Sequence, residues 1–320
     1  EVELHLRLLI VHEIRRLCTQ IWPRCVVKTF GSMETHLILP KSDIDVCVLN
    51  IPDDVYKAME ILAKHIDKQC LSEYGSLRII DNAKVPIVKF LYRGTLYSVD
   101  ICINSEDGLM NTATLRELLD MYPMAYPLTM VVKMYLYLRK LHEPYHGGLG
   151  SYATCLLVMS FLQNHPYRGM QYSDRTKVSA GILLADFFRY IGFYFNFMNV
   201  GIDLIDGGEC FRKDERDSRG LLIEDPASYD NNAASAARHF ASITKAFESA
   251  YMLLMTEDQT VLKKLQTVHH KDSSTDVSGD CSALSHADWR LSRLVWITRE
   301  EHDYRRSLPT VLEKLSHDVA

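Results

Sequence analysis

The stretch FGSMETHLILPKSDIDVCVL, residues 30–49, contains two features on which the interpretation of the whole chain depends. Near its start Gly31 and Ser32 follow an apolar segment, and near its end Asp43 and Asp45 stand two positions apart. Side chains two positions apart in a strand point to the same side, so the two carboxylates are expected to project together. Neighbouring carboxylates repel each other unless a cation lies between them. Because all their donor atoms are oxygens, the pair suits Mg²⁺ or Mn²⁺ rather than zinc.

The Gly-Ser pair predicts a phosphate-binding turn. Residues 25–30 have the composition of a short strand, and a glycine after a strand allows a tight turn at which backbone N–H groups and the Ser32 hydroxyl can approach a phosphate. Each motif alone is common. Together, at an offset of eleven residues between Ser32 and Asp43, they indicate nucleotidyl transfer.

A third carboxylate is expected on a later strand. In LYSVDICI, residues 96–103, the apolar residues at 99, 101 and 103 share one face and Asp100 lies on the other. An aspartate inside an apolar strand is unfavourable for the strand and needs a reason. Taken alone, Asp100 is equally well explained as an edge-strand residue facing water. Beside the first pair of aspartates, a role in metal binding is the favoured interpretation.

Composition limits the class of protein. The chain has 320 residues, of which 47% are hydrophobic and 24% charged, enough for a large core in two domains. The net charge is −5, so binding of nucleic acid must depend on a local part of the surface or on a partner protein. Eight cysteines without a CxxC pair predict unpaired core thiols rather than a zinc site. No apolar run reaches the roughly 20 residues that span a bilayer, and we expect a soluble intracellular protein.

Hydrophobic periodicity predicts an α+β fold. The predicted helices are 2–18 (with Leu4 and Leu8 on the apolar face), 52–70, 114–119, 127–142, 152–164, 180–197, 233–255, 299–306 and 309–315; the predicted strands are 77–80, 85–91 and 96–103, with a strand or turn at 289–297 and a loop at 268–285. This order gives a mixed-sheet catalytic domain over 13–113 and a mostly helical domain over 114–320, on which residues 1–12 pack. We expect the nucleotide in a cleft between the two domains.

These motifs resemble the DNA polymerase β-type nucleotidyltransferase superfamily, whose pattern is Gly-Ser, then Asp-x-Asp, then a later strand Asp. Within it, the chain is similar to the non-canonical poly(A) polymerases and terminal uridylyltransferases, and above all to the nuclear RNA-surveillance enzymes of TRAMP-type complexes. The similarity is carried by GGLGSYATCLLVMSFLQNHP (147–166), GILLADFFRYIGFYFNF (181–197) and LLIEDPASYDNN (221–232). It implies a polymerase β-like nucleotidyltransferase domain followed by a helical PAP-associated domain.

The resemblance also implies roles for individual residues. Asp43 and Asp45 would bridge two Mg²⁺ or Mn²⁺ ions, and Asp100 would hold the ion that activates the RNA 3′-hydroxyl and act as general base. The implied nucleotide-binding residues are Gly31, Ser32, Gly108, Asn111, Thr112, Lys133, Ser151, Tyr152, Asp225 and Asn231. Of these, Gly108, Asn111 and Thr112 are expected near the ribose.

The helical part would supply the remaining nucleotide contacts. Lys133 is either a snorkelling lysine or, as the resemblance implies, a triphosphate ligand. Ser151 is expected to cap a helix, and Tyr152 to offer a ring for base stacking. Uridylyltransferases tend to carry a histidine at the position of Asn231. An asparagine at this position favours adenine, because it can both donate to and accept from that base. Relatives often place an arginine where this chain has Ser235, a departure that weakens the assignment of the base.

The leading hypothesis is therefore a template-independent enzyme that adds AMP from ATP to RNA 3′ ends. A terminal uridylyltransferase using UTP is the alternative enzyme, and an inactive scaffold of an RNA-decay complex is the alternative of another class. By resemblance, we expect a zinc-knuckle RNA-binding protein and an RNA helicase as partners, and a nuclear location.

Overall fold

The computed structural model describes residues 2–82, 84–95, 97–165, 179–214, 220–257 and 290–319. These residues form two compact units. The first comprises residues 1–116 and 298–320, and the second residues 117–297. The predicted loop over 268–285 lies outside the described residues.

The first unit is built on a five-stranded mixed sheet of order β1-β2-β5-β4-β3, in which only the β2–β5 pair is parallel. Its elements are α1 (Val2–Ile21), β1 (Val26–Phe30), α2 (Ser32–Thr35), β2 (Ile44–Leu49), α3 (Val55–Lys68), β3 (Arg78–Ile80), β4 (Ile87–Leu91), β5 (Ser98–Ile103) and most of α4 (Asp107–Met121). The alternation predicted for β2 and β5 is confirmed, since Ile44, Val46 and Val99 are fully buried.

The first helix belongs to this unit and does not follow the prediction that residues 1–12 pack on the helical domain. Its stripe of Leu6, Ile10 and Ile14 is buried in the same core as the sheet. Leu4 and Leu8, predicted to be on the apolar face, are 44% and 54% exposed. The prediction of the apolar face, which also included Leu9, Ile14 and Leu17, is confirmed for Ile14 and Leu17, each 1% exposed, and wrong for Leu4 and Leu8, because packing on the sheet buries Leu6 and Ile10 instead.

The chain returns to the first unit with α9 (Arg299–Val319), where two short helices were predicted. Pro309 lies inside this helix rather than at the start of a second one. Leu308 and Leu315 are both buried in the core of the first unit, which holds both halves of the helix in place despite the hydrogen bond that a proline removes. An ion pair of 2.7 Å between Arg305 and Glu3 ties α9 to α1.

The second unit is mainly helical, as predicted, but also contains a sheet that the sequence did not reveal. Its elements are α5 (Ala125–Leu138), a 3₁₀ turn (Pro144–His146), α6 (Ser151–Asn164), α7 (Ala180–Arg189) continued by a π turn (Tyr190–Tyr194), β6 (Val200–Asp203), a second 3₁₀ turn (Ile205–Gly207), β7 (Glu209–Arg212), β8 (Leu222–Asp225), β9 (Ser228–Asn232), α8 (Phe240–Met255) and a third 3₁₀ turn (Arg290–Arg293). The four strands are ordered β7-β6-β8-β9. The described part of the segment predicted as a strand or turn begins with the third 3₁₀ turn.

Candidate active site

The three predicted aspartates lie at neighbouring positions of the sheet of the first unit. Asp45 of β2 lies directly opposite Asp100 of β5 in the parallel register, and Asp43 immediately precedes β2. In-register neighbours on adjacent strands present their side chains on the same side. Since β5 lies between β2 and β4, Asp100 is an interior residue of the sheet, and the edge-strand explanation is wrong.

Lys89 completes this cluster and was missed in the sequence. It lies on β4 opposite Asp100, and its Nζ is 2.9 Å from the Asp100 carboxylate and 3.3 Å from Asp43 Oδ2. Nothing in the pattern IVKF separates a lysine that faces a carboxylate cluster from one that faces water. Only the strand order β2-β5-β4 places Lys89 beside the aspartates.

The environment of Asp100 is electrostatically costly. Burial, followed by the charge of Asp43, raises the pKa of the Asp100 carboxyl above its usual range, although Lys89 acts in the opposite direction. The side chain of Asp100 is 17% exposed, whereas that of Asp43 is 43% exposed. A carboxylate that is buried beside a second carboxylate is typical of functional sites.

The cluster offers carboxylate oxygens, the donor atoms that bind a cation such as Mg²⁺. Within the described residues, no three Asp, Glu, His or Cys side chains converge into a ready-made metal site. The ammonium of Lys89 nevertheless lies between Asp43 and Asp100, which shows that a positive charge is accommodated there. With Asp45 beside them, the donor set suits Mg²⁺ or Mn²⁺.

The Gly31-Ser32 turn lies against the same carboxylates. Gly31 has a φ of 65°, and a Cβ at this position would collide with Asp45 Oδ2. Its backbone N–H donates to Thr112 Oγ1 at 2.8 Å. The Ser32 hydroxyl is buried and has no hydrogen-bonding partner. A buried hydroxyl without a hydrogen-bonding partner costs free energy, and a ligand that binds at the turn would supply the missing partner.

Helix α4 supports this turn from the other side. Thr112, which is 8% exposed, donates from Oγ1 to the Gly108 carbonyl at 2.6 Å while accepting from Gly31. A side chain at Gly108 would collide with the ring of Phe30. Gly108 and Thr112 therefore hold α4 against the turn, and Asn111 is partly exposed on the same helix. Contact of these residues with a ribose stays a prediction.

Arg7 fixes the loop that leads into Asp43, a role that the sequence did not suggest. Its side chain is 1% exposed and donates to the carbonyls of Ser42 at 2.7 Å and Pro40 at 3.2 Å. The guanidinium also lies 4.2 Å from the centre of the Tyr97 ring. Helix α1 thus holds the backbone just before the first aspartate.

In the second unit, three predicted nucleotide-binding residues form one hydrogen-bonded group. Asp225, which is 1% exposed, accepts from the Tyr152 hydroxyl and from Asn231 Nδ2, each at 2.7 Å. The backbone N–H of Ala227 adds a third bond at 3.0 Å. Burial, then the bond to Asp225, raises the pKa of Tyr152, which stays a neutral donor. Asp225 therefore orients Tyr152 and Asn231.

The other two predicted residues of this unit lie on separate helices. Lys133 is 5% exposed in the middle of α5, so it is not a snorkelling lysine with its head in water. Gly150 is the N-cap of α6, and Ser151 is its first residue. The prediction that Ser151 caps the helix is therefore wrong, and its exposed side chain does not serve as the cap. Contacts of Lys133 and Ser151 with a triphosphate stay predictions.

An open cavity of about 350 Å³ lies on the β6–β9 sheet, and Asn231 is part of its lining. Its other polar residues include Arg212 and three acids, Asp214, Glu224 and Asp230. The excess of negative charge opposes a triphosphate. We therefore do not assign the cavity itself to the phosphates of a nucleotide.

The fold and the aspartate cluster define a nucleotidyltransferase-type chain, and comparison with known proteins defines its family. Residues 1–122 match the family model of the central palm domain of the mitochondrial-like poly(A) RNA polymerase, and residues 179–231 match that of the Cid1 family poly A polymerase. The chain belongs to the family of non-canonical poly(A) polymerases.

Individual relatives agree with this assignment. Poly(A) RNA polymerase CID14 of Cryptococcus neoformans is 31% identical over 97% of this chain and 41% of its own length. The inactive non-canonical poly(A) RNA polymerase protein Trf4-2 of Drosophila melanogaster is 31% identical over 76% of this chain and 62% of its own length. The polymerase core of TRAMP, described as an RNA surveillance complex, is 28% identical with a TM-score of 0.69, covering 82% of each chain. The chain spans about two fifths of the length of relatives such as CID14.

No helix in the described part of the chain is both long enough and apolar enough to cross a membrane.

Proposed function

We propose that this chain is the catalytic core of a template-independent RNA 3′-terminal nucleotidyltransferase that adds AMP from ATP. The observation that carries the proposal is the register of β2 and β5, which sets Asp45 against Asp100 with Asp43 at the strand entry. The Gly31-Ser32 turn in contact with Asp45 adds a phosphate-binding element to the same face.

Asp43, Asp45 and Asp100 would hold Mg²⁺ or Mn²⁺, which when bound activates the RNA 3′-hydroxyl and neutralises the triphosphate. Asp100 would also accept the proton of the attacking hydroxyl, the general-base role that the family resemblance implies.

The phosphates and the base would be held by the remaining predicted residues. Ser32 Oγ is buried without a partner and can donate to a phosphate oxygen. Asp225 holds the Tyr152 hydroxyl, which fixes a ring suitable for stacking on a base. Lys133 and Ser151 are assigned to the triphosphate, and Gly108, Asn111 and Thr112 to the surroundings of the ribose.

The orientation of Asn231 favours ATP over UTP. Its Nδ2 donates to the carboxylate of Asp225, and a carboxylate can only accept, so the assignment of the amide nitrogen and oxygen is fixed. The Asn231 carbonyl is thereby turned away from Asp225. A carbonyl accepts from the exocyclic amine of adenine, whereas the corresponding position of uracil is itself an acceptor.

The acidic net charge of −5 supports a requirement for partners. A zinc-knuckle RNA-binding protein with an RNA helicase, in a TRAMP-like assembly in the nucleus, would supply the grip on RNA. The similarity to the TRAMP polymerase core supports this assignment.

The direct test is extension of a labelled RNA oligonucleotide with Mg²⁺ and each of the four nucleoside triphosphates separately, with and without a zinc-knuckle partner. We expect a ladder with ATP that lengthens when the partner is added. A ladder with UTP alone would instead show a uridylyltransferase. Binding of ATP without extension, even with the partner and Mn²⁺, would show a scaffold, the class to which the inactive Drosophila relative points.

A further inference from the structure

Lys89 lies within the carboxylate cluster as a built-in cation. It is directly opposite Asp100 in the β4–β5 register, and its Nζ bridges Asp100 at 2.9 Å and Asp43 at 3.3 Å. Both carboxylates belong to the set assigned above to the metal. The ammonium therefore already forms bonds with oxygens that a divalent ion would use.

The charge on Lys89 is secure. Its Nζ lies 2.9 Å from the Asp100 carboxylate and 3.3 Å from Asp43 Oδ2, and two carboxylates at these distances favour the ammonium form of a side chain that is already protonated at neutral pH. The two carboxylates alone carry a net charge of −2, and together with the ammonium they carry −1. Such neutralisation relieves the repulsion between Asp43 and Asp100.

A divalent ion has to compete with this ammonium. If Lys89 stays in place, it repels the incoming ion at short range; if it leaves, its bonds to both carboxylates are lost. The side chain is 37% exposed on a flexible four-carbon stem, so it has a path to solvent. Either way, the lysine opposes metal binding.

We propose that Lys89 is the internal counter-ion of the aspartate cluster, which stabilises the metal-free protein and lowers the affinity of the cluster for divalent ions. The inference rests on the proposed function in one respect, the assignment of Asp43 and Asp100 as metal ligands. Lys89 is thus a positioning residue, since it acts through the aspartates.

The test is Mn²⁺ binding to the full chain, without nucleotide or RNA, followed by electron paramagnetic resonance. Lys89→Met keeps a chain of similar length and removes the charge. We expect its Mn²⁺ dissociation constant to fall by about tenfold, because one short-range repulsion is removed at a partly exposed site. Lys64→Met, which removes an exposed positive charge from α3, should bind Mn²⁺ as the wild type does.

Thermal unfolding provides two further readouts, of which the midpoint of the metal-free protein does not depend on metal affinity. The metal-free Lys89→Met protein should unfold at a lower temperature than the Lys64→Met protein, and Mn²⁺ should raise its midpoint more than it raises that of the wild type. If Lys89→Met does not fold, Lys89→Gln offers the same comparison with a neutral polar head.

Equal or weaker Mn²⁺ binding by Lys89→Met would overturn the inference, and weaker binding would show that Lys89 organises the ligands instead. Failure of the proposed function gives a different result. In that case wild-type Mn²⁺ binding would be absent or would survive Asp45→Asn, whatever the effect of Lys89.

Discussion

At the scale of single residues, Gly31 shows how the turn and the carboxylates depend on each other. Its φ of 65° disfavours any side chain, and a Cβ would also collide with Asp45 Oδ2. Gly94 has a nearly identical φ of 67° but open space around its Cβ position. The two glycines therefore separate the backbone requirement from the contact with Asp45.

We predict that Gly31→Ala destabilises the protein by about 1–3 kcal/mol more than Gly94→Ala, because only the former overpacks a carboxylate. Urea unfolding of the two variants checks this difference. RNA extension by Gly31→Ala should also fall well below that of Gly94→Ala. If the two substitutions had equal effects on both measurements, the close packing of the turn on Asp45 would be refuted.

The sequence was sufficient for the aspartates and insufficient for the residues that support them. Asp43, Asp45 and Asp100 stand out because they interrupt a period-2 apolar pattern that predicts which face each occupies. The sequence around Lys89 and Arg7 does not distinguish them from lysines and arginines that face water. Their roles follow from strand order and from the packing of α1, which are long-range properties.

At the scale of elements, the β8–β9 hairpin positions the candidate base-recognition residues. Asp225 at the end of β8 accepts from Tyr152 of α6 and from Asn231 of β9. An asparagine at position 225 would direct its NH₂ group at either Tyr152 or Asn231, both of which donate to Asp225 in the wild type. The bond from Asn231 Nδ2 to this carboxylate, which fixes the orientation of the amide, would then be altered.

We predict that Asp225→Asn lowers the preference for ATP over UTP by about tenfold in kcat/KM, the effect of one altered hydrogen bond. Asp230→Asn, which changes an exposed acid on β9, should leave the preference intact. The ratio is measured by extension with each nucleotide in turn. An unchanged ratio for Asp225→Asn would mean that Asn231 does not read the base.

The sheet of the second unit could not be foreseen, for a physical reason. Its strands are only four or five residues long, and β9 consists of SYDNN, a sequence with no apolar alternation. Strands of this length carry too few positions for a period to emerge. The long helices α5, α6 and α8, by contrast, were predicted from their apolar content.

At the scale of the whole molecule, each unit buries a thiol whose ionisation opposes folding. Burial raises the pKa of Cys18 in the first unit and of Cys155 in the second to about 12 from the usual value of 9.0. Between these values the folded state binds more protons than the unfolded state. Stability therefore falls as pH rises, and the loss begins at the unfolded pKa.

We predict that the free energy of unfolding falls by about 1.4 kcal/mol per pH unit for each of these thiols above pH 9. Urea unfolding in the presence of a reductant at pH 8, 9 and 10 checks the slope. Cys18→Ala should remove one such contribution to the slope, whatever its effect on stability at pH 8. A wild-type stability that does not change between pH 9 and 10 would contradict the burial of both thiols.

The domain organisation is also a property of the whole molecule. The prediction separated the catalytic and helical parts near residue 113, and the structure divides the chain within α4, between residues 116 and 117. The prediction from the sequence did not include the return of the last helix to the first unit. Local patterns indicate that α9 is a helix, but its partner α1 lies at the other end of the chain.

The most direct measurement of the central claim is the rate of ATP-dependent RNA extension by the wild type and by Asp45→Asn and Asp100→Asn, with Asp67→Asn on the exposed face of α3 as the matched control. Loss of either cluster carboxylate should reduce the rate by about a thousandfold or more while the fold is retained. The control should extend RNA at the wild-type rate. Extension by Asp100→Asn at a rate close to that of the control would contradict the assignment of this cluster as the active site.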